Sequence, residues 1–400
     1  MFSQIKQIRI VTLASLGSLH RRTWISLSMV LSVALVVCVL IGFLAMAKGF
    51  ETALASTSSP DVAIVLGGGT TQETGSEVPA ATYRGLLAYS GNHGVAADSQ
   101  GQLMVSREIL VPVTVTAAAS GMDESLSMRG MDHKGGELRR KVRISQGRMF
   151  TPGSHEIVVG ARIARDFGGF EIGATRRLGT IGWTVVGHFS GEGSAVESEI
   201  WSDLEVLQSV FDRQGSIQTL RVRLGEAGNV SLLQQALNDV SPTPVTVVSE
   251  ADFYRGQSER TARLIRLFGW PVALLMAIGA TSGALNTMIS SVSDRSVEIA
   301  TVRALGFSRL AAAVATWIEA VILALVGALT GMFVSFALFN GWQASTLGSD
   351  QTRMAFNLAV TPDLLLQAGL LALSIGIVGG GISAIAAARL PLIAALRGKT

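Results

Sequence analysis

Residues 24–46 read WISLSMVLSVALVVCVLIGFLAM, a stretch without a charged side chain. A helix needs roughly 20 apolar residues to cross the hydrocarbon core of a bilayer, which is ~30 Å thick. The stretch therefore predicts a first membrane helix at 24–47, and three further apolar runs predict others at 267–290, 310–340 and 364–388. Because the apolar part of a signal peptide is only ~7–15 residues long, we expect an uncleaved anchor.

Basic residues near these runs predict the orientation of the chain, since cytoplasmic loops carry an excess of Lys and Arg. They lie before the first run, between the second and third, and after the fourth: Lys6, Arg9, Arg21, Arg22, Arg295, Arg303, Arg309, Arg389, Arg397 and Lys399. This distribution predicts cytoplasmic termini, at 1–23 and 389–400, and a cytoplasmic segment at 291–309. Segment 48–266 and the short loop 341–363 are then extracytoplasmic.

The N-terminal segment 1–23 shows a second pattern. Its apolar residues recur roughly at helical spacing, with Lys6 and Arg9 between them: Ile5, Ile8, Leu13, Leu16 and Leu19. Such a pattern predicts an amphipathic helix at the cytoplasmic face of the membrane. The alternative is a leader without a fixed position.

Composition supports a membrane protein and argues against a nucleic-acid partner. Charged residues make up 15% of the chain, whereas soluble domains carry roughly 25%. The formal charge is only +3, without the clustered basic residues that nucleic-acid binding requires. The single cysteine, Cys38, lies within the first apolar run, so the outer segment must be held together by packing.

Residues 48–266 are predicted to form a large α+β extracytoplasmic domain on helical stalks. Short β-rich runs occur at Val62–Leu66, Ile109–Thr116, Glu156–Val159, Thr184–Val186, Leu220–Leu224 and Val245–Val248. Helical patterns occur at Ala161–Phe167, Asp203–Phe211 and Val230–Val240. Ser249 and Asp252 predict a helix start that continues as a stalk into the second membrane helix. A matching stalk is expected after the first membrane helix, over Lys48–Leu54.

Small and polar residues within the membrane runs are candidates for helix packing. Three glycine pairs have the spacing that lets helices approach closely: Gly279 and Gly283, Gly327 and Gly331, Gly376 and Gly380. General glycine richness is the alternative explanation, since the chain has 44 glycines. Glu319 is an intramembrane carboxylate, which is costly in lipid. We expect a structural role for it in preference to proton or substrate handling.

The segment 291–309 reads SVSDRSVEIATVRALGFSR and carries the strongest signal. It is short and helical in pattern, and Gly306 is well placed to end a helix. It is either a solvated helical turn or a docking helix for a cytoplasmic partner. Elsewhere, the five histidines lack metal-ligand spacing, and we find no catalytic motif or metal site in the sequence.

This segment closely resembles the signature of MacB/LolC/FtsX-like ABC permeases, a type VII, mechanotransmission family. The matching residues are Arg295, Glu298, Ile299, Arg303, Ala304, Leu305 and Gly306, while Asp294 and Ala300 replace the usual Glu and Gly. The third membrane run, Trp317–Gly331, and the ending Ala387–Arg397 are also similar to the family's. One departure is the Ser383–Ala386 run, which lacks the family's basic residues.

The resemblance implies a multi-pass protein of the bacterial inner membrane that acts as a permease subunit. ATP and Mg²⁺ would be bound by a separate cytoplasmic ABC ATPase subunit, so no cofactor is expected in this chain. Arg295, Glu298, Arg303 and Gly306 would couple to that ATPase, and motion would reach the periplasmic domain through the stalks. Further implied partners are a second permease copy, a periplasmic adaptor, an outer-membrane channel and the lipid bilayer.

Three functions fit the resemblance. The large outer segment favours efflux or export with an adaptor. The others are release of lipoproteins from the inner membrane and non-transporting regulation of a periplasmic hydrolase. The sequence leaves open the substrate, the identity of the adaptor, and homodimer versus heterodimer.

Overall fold

The computed structural model describes residues 4–17, 23–117, 121–226, 229–294, 296–304, 306–348 and 351–389. The chain divides into two compact units. The membrane unit comprises residues 1–48, 263–342 and 358–400, and the outer unit comprises residues 49–262 and 343–357.

The two units contain the following elements. The helices are α1 (Gln4–Gly17), α2 (Thr23–Thr57), α3 (Ala80–Ala88), α4 (Ala161–Asp166), α5 (Leu204–Val210), α6 (Val230–Val240), α7 (Glu250–Asp294), α8 (Ser296–Ala304), α9 (Arg309–Phe339) and α10 (Pro362–Arg389). The strands are β1 (Val62–Gly67), β2 (Val105–Thr116), β3 (Asp123–Met131), β4 (Arg143–Gly147), β5 (Glu156–Gly160), β6 (Thr175–Leu178), β7 (Ile181–Ser190), β8 (Glu199–Asp203), β9 (Thr219–Arg223), β10 (Val245–Ser249), β11 (Gln343–Leu347) and β12 (Arg353–Asn357).

Four helices of the described chain are long and apolar enough to cross a membrane, namely α2, α7, α9 and α10. The predicted fold class of four transmembrane helices with an α+β outer domain is therefore confirmed. The helices share one apolar core in which many buried side chains are alanines, including Ala273, Ala320, Ala324, Ala368 and Ala372. Small side chains suit this core because helices in lipid associate through close packing.

Two of these helices continue beyond the predicted membrane segments. α2 extends to Thr57, and α7 is one continuous helix from Glu250. The predicted helix start is confirmed, since the hydroxyl of Ser249 accepts a hydrogen bond from the backbone N–H of Asp252 at 3.0 Å. The helical extensions correspond to the stalks that the sequence predicts.

The outer unit is built on one ten-stranded sheet in the order β10-β1-β9-β2-β3-β8-β5-β7-β4, with β6 also paired to β7. The β3–β8 and β5–β7 pairs are parallel, and the other pairs are antiparallel. The sequence analysis misses α3, β3, β4, β6 and β8. The β4 strand is exposed along its whole length, so it lacks the alternation of buried and exposed residues that predicts a strand.

Separate apolar cores divide the sheet into two lobes. The stalk lobe, residues 62–108 and 217–249, packs α3 and α6 against β1, β9 and β10. The insert lobe, residues 109–211, has its own core around Trp183 and Ile200. β2 is shared, because Val105 belongs to the first core and Ile109 to the second.

The loop 341–363 is more structured than a short connection. Its residues form the antiparallel hairpin β11–β12, paired from Gln343 with Asn357 to Leu347 with Arg353. Residues 343–357 are part of the outer unit although they lie between α9 and α10 in the chain. The sequence analysis assigns no structure to this loop because its polar residues give a weak strand pattern.

Candidate functional site

The 291–309 segment contains α8 but is not a single helix. α7 continues to Asp294, α8 covers Ser296–Ala304, and α9 begins at Arg309. Gly306 has a φ of +94°, and its N–H donates to the carbonyl of Arg303 at 3.1 Å. This conformation is favourable for glycine and ends the helix. Gly306 therefore shapes the turn between α8 and α9.

The other residues matched to the family signature are described only in part. Arg303 is buried, with 9% of its surface exposed. Arg295 and the side chain of Glu298 lie outside the described residues. The coupling role of the four residues remains a prediction.

α1 packs along the beginning of α9 through polar contacts. The Ser15 hydroxyl donates a hydrogen bond to the Glu319 carboxylate. Near the start of α9, the backbone N–H of Ser308 donates to the side-chain carbonyl of Gln7 at 3.1 Å. Glu319 is only 3% exposed, so its carboxylate is inside the helix bundle, as an ionisable group in a membrane helix normally is.

α1 also presents apolar residues on its surface. Ile5, Ile10 and Leu13 are exposed, Ile5 at 78%. The same helix therefore packs on α9 through one face and leaves another face uncovered within the described chain. This arrangement is compatible with the predicted location at a membrane surface.

Four of the six candidate packing glycines lie at close contacts between helices. A Cβ on Gly327 would be 2.8 Å from the carbonyl oxygen of Val30, and one on Gly331 would be 2.7 Å from that of Ala34. On α10, a Cβ on Gly376 would be 2.5 Å from Ala324, and one on Gly380 would be 2.6 Å from Ala320. These glycines allow α2 and α10 to approach α9 more closely than a larger residue would.

The pair on α7 behaves differently. A Cβ on Gly279 or on Gly283 would meet no heavy atom within 4 Å among the described residues. This pair therefore makes no close helix contact within the described chain.

A cluster of buried charges lies in the outer unit, where the two lobes meet. The carboxylate of Glu108 on β2 is fully buried. It forms ion pairs with Arg139 at 2.7 Å, Arg129 at 2.8 Å and Arg221 at 3.4 Å. Arg129 also binds Glu73 at 2.9 Å and Glu199 at 2.8 Å. A buried charge is tolerated only when it is paired in this way.

The charges in this cluster are stabilised by one another. Burial would raise the pKa of Glu108, but the guanidinium groups of Arg139, Arg221 and Arg129 outweigh burial and hold that pKa well below its usual range. The pKa of Glu199 is also lowered, because Arg129 outweighs the opposing effect of burial. Both carboxylates are therefore ionised across the physiological pH range.

The sequence analysis misses this cluster. A usable signal exists, because Glu108, Arg129 and Arg221 each lie within a strand among apolar neighbours. A charge on the buried face of a strand predicts a buried partner. Which charges pair depends on the strand order β9-β2-β3, which local sequence does not contain.

A small cavity of about 40 Å³ adjoins the cluster within the outer unit. Its lining includes Thr57 of α2, Arg129, Glu199, Tyr254 of α7 and Arg353 of β12. A cavity needs ~10–15 Å³ for one water molecule, so this one has room for roughly two or three. It is too small for an organic substrate and suits water among polar groups.

Comparison with known families decides which class of protein this arrangement belongs to. The model of the MacB-like periplasmic core domain matches residues 26–240, more than half of the chain. The model of the FtsX-like permease C-terminal region matches residues 271–392. The chain belongs to the MacB/FtsX-like ABC permease family. The predicted family is thereby confirmed, and with it the assignment of the chain as a transporter permease with a periplasmic domain.

Relatives of this permease carry the same family name. The Macrolide export ATP-binding/permease protein MacB of Bordetella avium is 24% identical over 76% of this chain and 48% of the relative. The protein of the same name from Photorhabdus laumondii is 26% identical over 56% of this chain and 35% of the relative. The permease therefore spans half or less of the length of these relatives.

Two solved structures show a weaker likeness. The extracellular domain of the noncanonic ABC-type transporter YknZ from Gram-positive bacteria is 16% identical, covering 47% of this chain and all of that one, with a TM-score of 0.34. The periplasmic region of MacB from Actinobacillus actinomycetemcomitans is 10% identical, covering 50% of this chain and 94% of that one, with a TM-score of 0.35. These scores are too low to support a closer structural comparison.

Proposed function

We propose that this permease converts the motion of a separate cytoplasmic ABC ATPase into movement of its periplasmic domain. The observation that carries the proposal is the presence of both family regions in one chain, the periplasmic core at 26–240 and the permease region at 271–392. ATP and Mg²⁺ bind to the ATPase, and the permease works as a dimer, with its termini and α8 in the cytoplasm.

The helices support this proposal. α7 is one helix from Glu250 to Asp294 that contains Pro271, a residue that donates no backbone hydrogen bond, and α2 extends from Thr23 to Thr57. A continuous helix transmits a displacement along its axis better than a flexible loop, because each backbone hydrogen bond resists local extension. In this proposal, a push at α8 passes along α7 toward the residues that enter the periplasmic domain.

We further propose efflux with a periplasmic adaptor and an outer-membrane channel as the activity. Both relatives described above are named for macrolide export, which makes macrolides the first substrates to test. The small polar cavity of the outer unit has no room for such a molecule. We propose that the substrate is handled by the assembled complex.

Substitution of the α8 region tests the coupling. Glu298→Ala and Arg303→Ala should each leave the permease inserted and able to dimerise, but should abolish transport and change the ATPase rate of the reconstituted complex. A polar group that loses its partner costs ~1–3 kcal/mol, more if it is charged. The measurements are co-purification of the ATPase, its hydrolysis rate, and macrolide resistance of cells.

Arg309→Ala is the matched control, because Arg309 is exposed at the start of α9 and should have a milder effect. Wild-type transport and ATPase activity in both the Glu298 and Arg303 variants would contradict the coupling role of α8. Co-purification with a cell-wall hydrolase in place of an adaptor would contradict efflux.

A further inference from the structure

The hairpin β11–β12 is bound to the insert lobe by polar contacts. Arg353 pairs with Glu124 of β3 at 3.0 Å and with Asp166 of α4 at 3.2 Å. Its guanidinium also lies over the ring of Phe167, 5.3 Å from the ring centre. One side chain of the hairpin thus reaches three residues of the insert lobe.

Two further hydrogen bonds support this attachment. The side-chain amide of Gln343 donates to the same Asp166 at 2.9 Å. The backbone N–H of Ala355 donates to the hydroxyl of Ser198 at 3.1 Å. Apolar packing adds a contact to α2, where the ring of Phe356 lies 5.5 Å from that of Phe50.

The stalk lobe is attached to different helices. α2 leads directly into β1, and β10 leads directly into α7. Glu250, the first residue of α7, pairs with Arg221 of β9 and accepts a hydrogen bond from the backbone N–H of Ser59 at 2.7 Å. The stalk lobe is therefore attached to α2 and α7.

The strand pairing between the two lobes is short. β2 pairs with β9 over only Val105–Glu108, and the buried charges around Glu108 fill the boundary where the two apolar cores end. The two lobes therefore meet through a short strand pairing and through paired buried charges.

We propose that the β11–β12 hairpin is a second coupling connection, which carries movement of α9 and α10 to the insert lobe through Arg353. α2 and α7 move the stalk lobe, and a displacement between the two helix pairs changes the angle between the lobes. This inference rests on the proposed function, since it assumes that ATP moves the membrane helices.

Arg353 is suited to a test by substitution. Its side chain is 23% exposed, and those of Glu124 and Asp166 are 27% and 18% exposed. Partly exposed pairs of this kind contribute little to global stability. Replacement should therefore release the hairpin without unfolding the outer unit.

The experiment measures the distance between the lobes in the permease–ATPase complex. Spin labels are placed on exposed positions of the two lobes, Gln235 of α6 and Ser209 of α5. The labels are attached to introduced cysteines in a Cys38→Ala background, since Cys38 is the single native cysteine. Distance distributions are recorded by double electron–electron resonance without nucleotide and with ATP.

The unsubstituted complex should show a shift of the distance on ATP binding, and Arg353→Ala should lose it. Arg353→Lys keeps the charge and should restore part of the shift. Asp166→Asn should lose part of the shift, because Arg353 still pairs with Glu124, and the double variant should lose no more than Arg353→Ala alone. Arg148→Ala, which breaks the exposed pair with Glu156 in the insert lobe, should keep the full shift.

The outcomes separate this inference from the proposed function. An unsubstituted complex without an ATP-dependent shift contradicts mechanical coupling itself. A complex that shows the shift, and keeps it fully in Arg353→Ala and Asp166→Asn, contradicts the hairpin connection and leaves the proposed function intact. A thermal melt of each variant confirms that it is folded.

Discussion

At the residue scale, Glu108 is the carboxylate that joins the buried arginines of the outer unit. Its carboxylate lies between three arginines from three different parts of the chain, Arg129, Arg139 and Arg221. The arginines repel one another, and the fully buried carboxylate is what allows them to share one site. Loss of this one charge leaves several buried cations short of a partner.

Glu108→Gln should therefore destabilise the outer unit. Removing one partner of a buried ion pair costs ~3–5 kcal/mol, which corresponds to a fall in melting temperature on the order of 10 °C for a domain of this size. The measurement is the thermal unfolding of the purified permease in detergent, followed by circular dichroism.

Glu205→Gln is the control, because Glu205 is 75% exposed and lies 3.5 Å from Arg107. An exposed pair is worth ~0–1 kcal/mol, so this variant should melt close to the unsubstituted protein. Equal melting of the Glu108 and Glu205 variants would show that the buried cluster does not stabilise the fold.

At the element scale, the contacts of a helix depend on which face carries its small residues. Gly331 of α9 lies against the backbone of α2. A Cβ atom added at Gly331 would be 2.7 Å from the carbonyl oxygen of Ala34. Gly283 of α7 has the same spacing motif but no heavy atom within 4 Å in the described chain. The motif by itself therefore does not determine which helix faces touch.

Gly331→Ala should weaken the helix bundle. The added methyl group overlaps the α2 backbone, and overpacking of this kind typically costs ~1–3 kcal/mol. Gly283→Ala is the matched change and should leave thermal stability of the monomer unchanged or slightly raised, since alanine favours helix. Melting of both variants in detergent tests this difference, and equal loss in both would contradict it.

Element by element, the sequence predicts long apolar helices best. Three of the four predicted membrane segments lie within an observed helix, and the third, 310–340, ends one residue beyond α9. Long apolar helices are predictable because hydrocarbon thickness sets a minimum length that few other structures need. In the outer unit, β1 and β9 are found from their apolar residues. β4 and β11–β12 are missed because their stability comes from partners distant in sequence. Likewise, the Arg353 contacts need the fold before they can be recognised.

At the scale of the whole molecule, the distribution of basic residues predicts that the outer unit and α8 are on opposite sides of the membrane. Ser99 lies on the surface of the outer unit, and Ala304 is exposed at the end of α8. The two positions can report the side of the membrane without disturbing buried contacts.

Single cysteines at Ser99 and Ala304, in a Cys38→Ala background, should label differently in spheroplasts treated with an impermeant maleimide. We expect strong labelling at position 99, and labelling at position 304 only after the membrane is opened, since a charged reagent does not cross lipid. Strong labelling at 304 with none at 99 would reverse the proposed orientation.

The outer unit is discontinuous in sequence, and this affects how the protein is made. Residues 343–357 complete the unit but follow α9 in the chain. Domains generally fold as the ribosome releases them, yet this one lacks its last hairpin until the third membrane helix has been translated. During that interval the surface that receives Arg353, including Asp166 and Phe167, is uncovered. Translation of α9 therefore sets the earliest time at which the outer unit can finish folding.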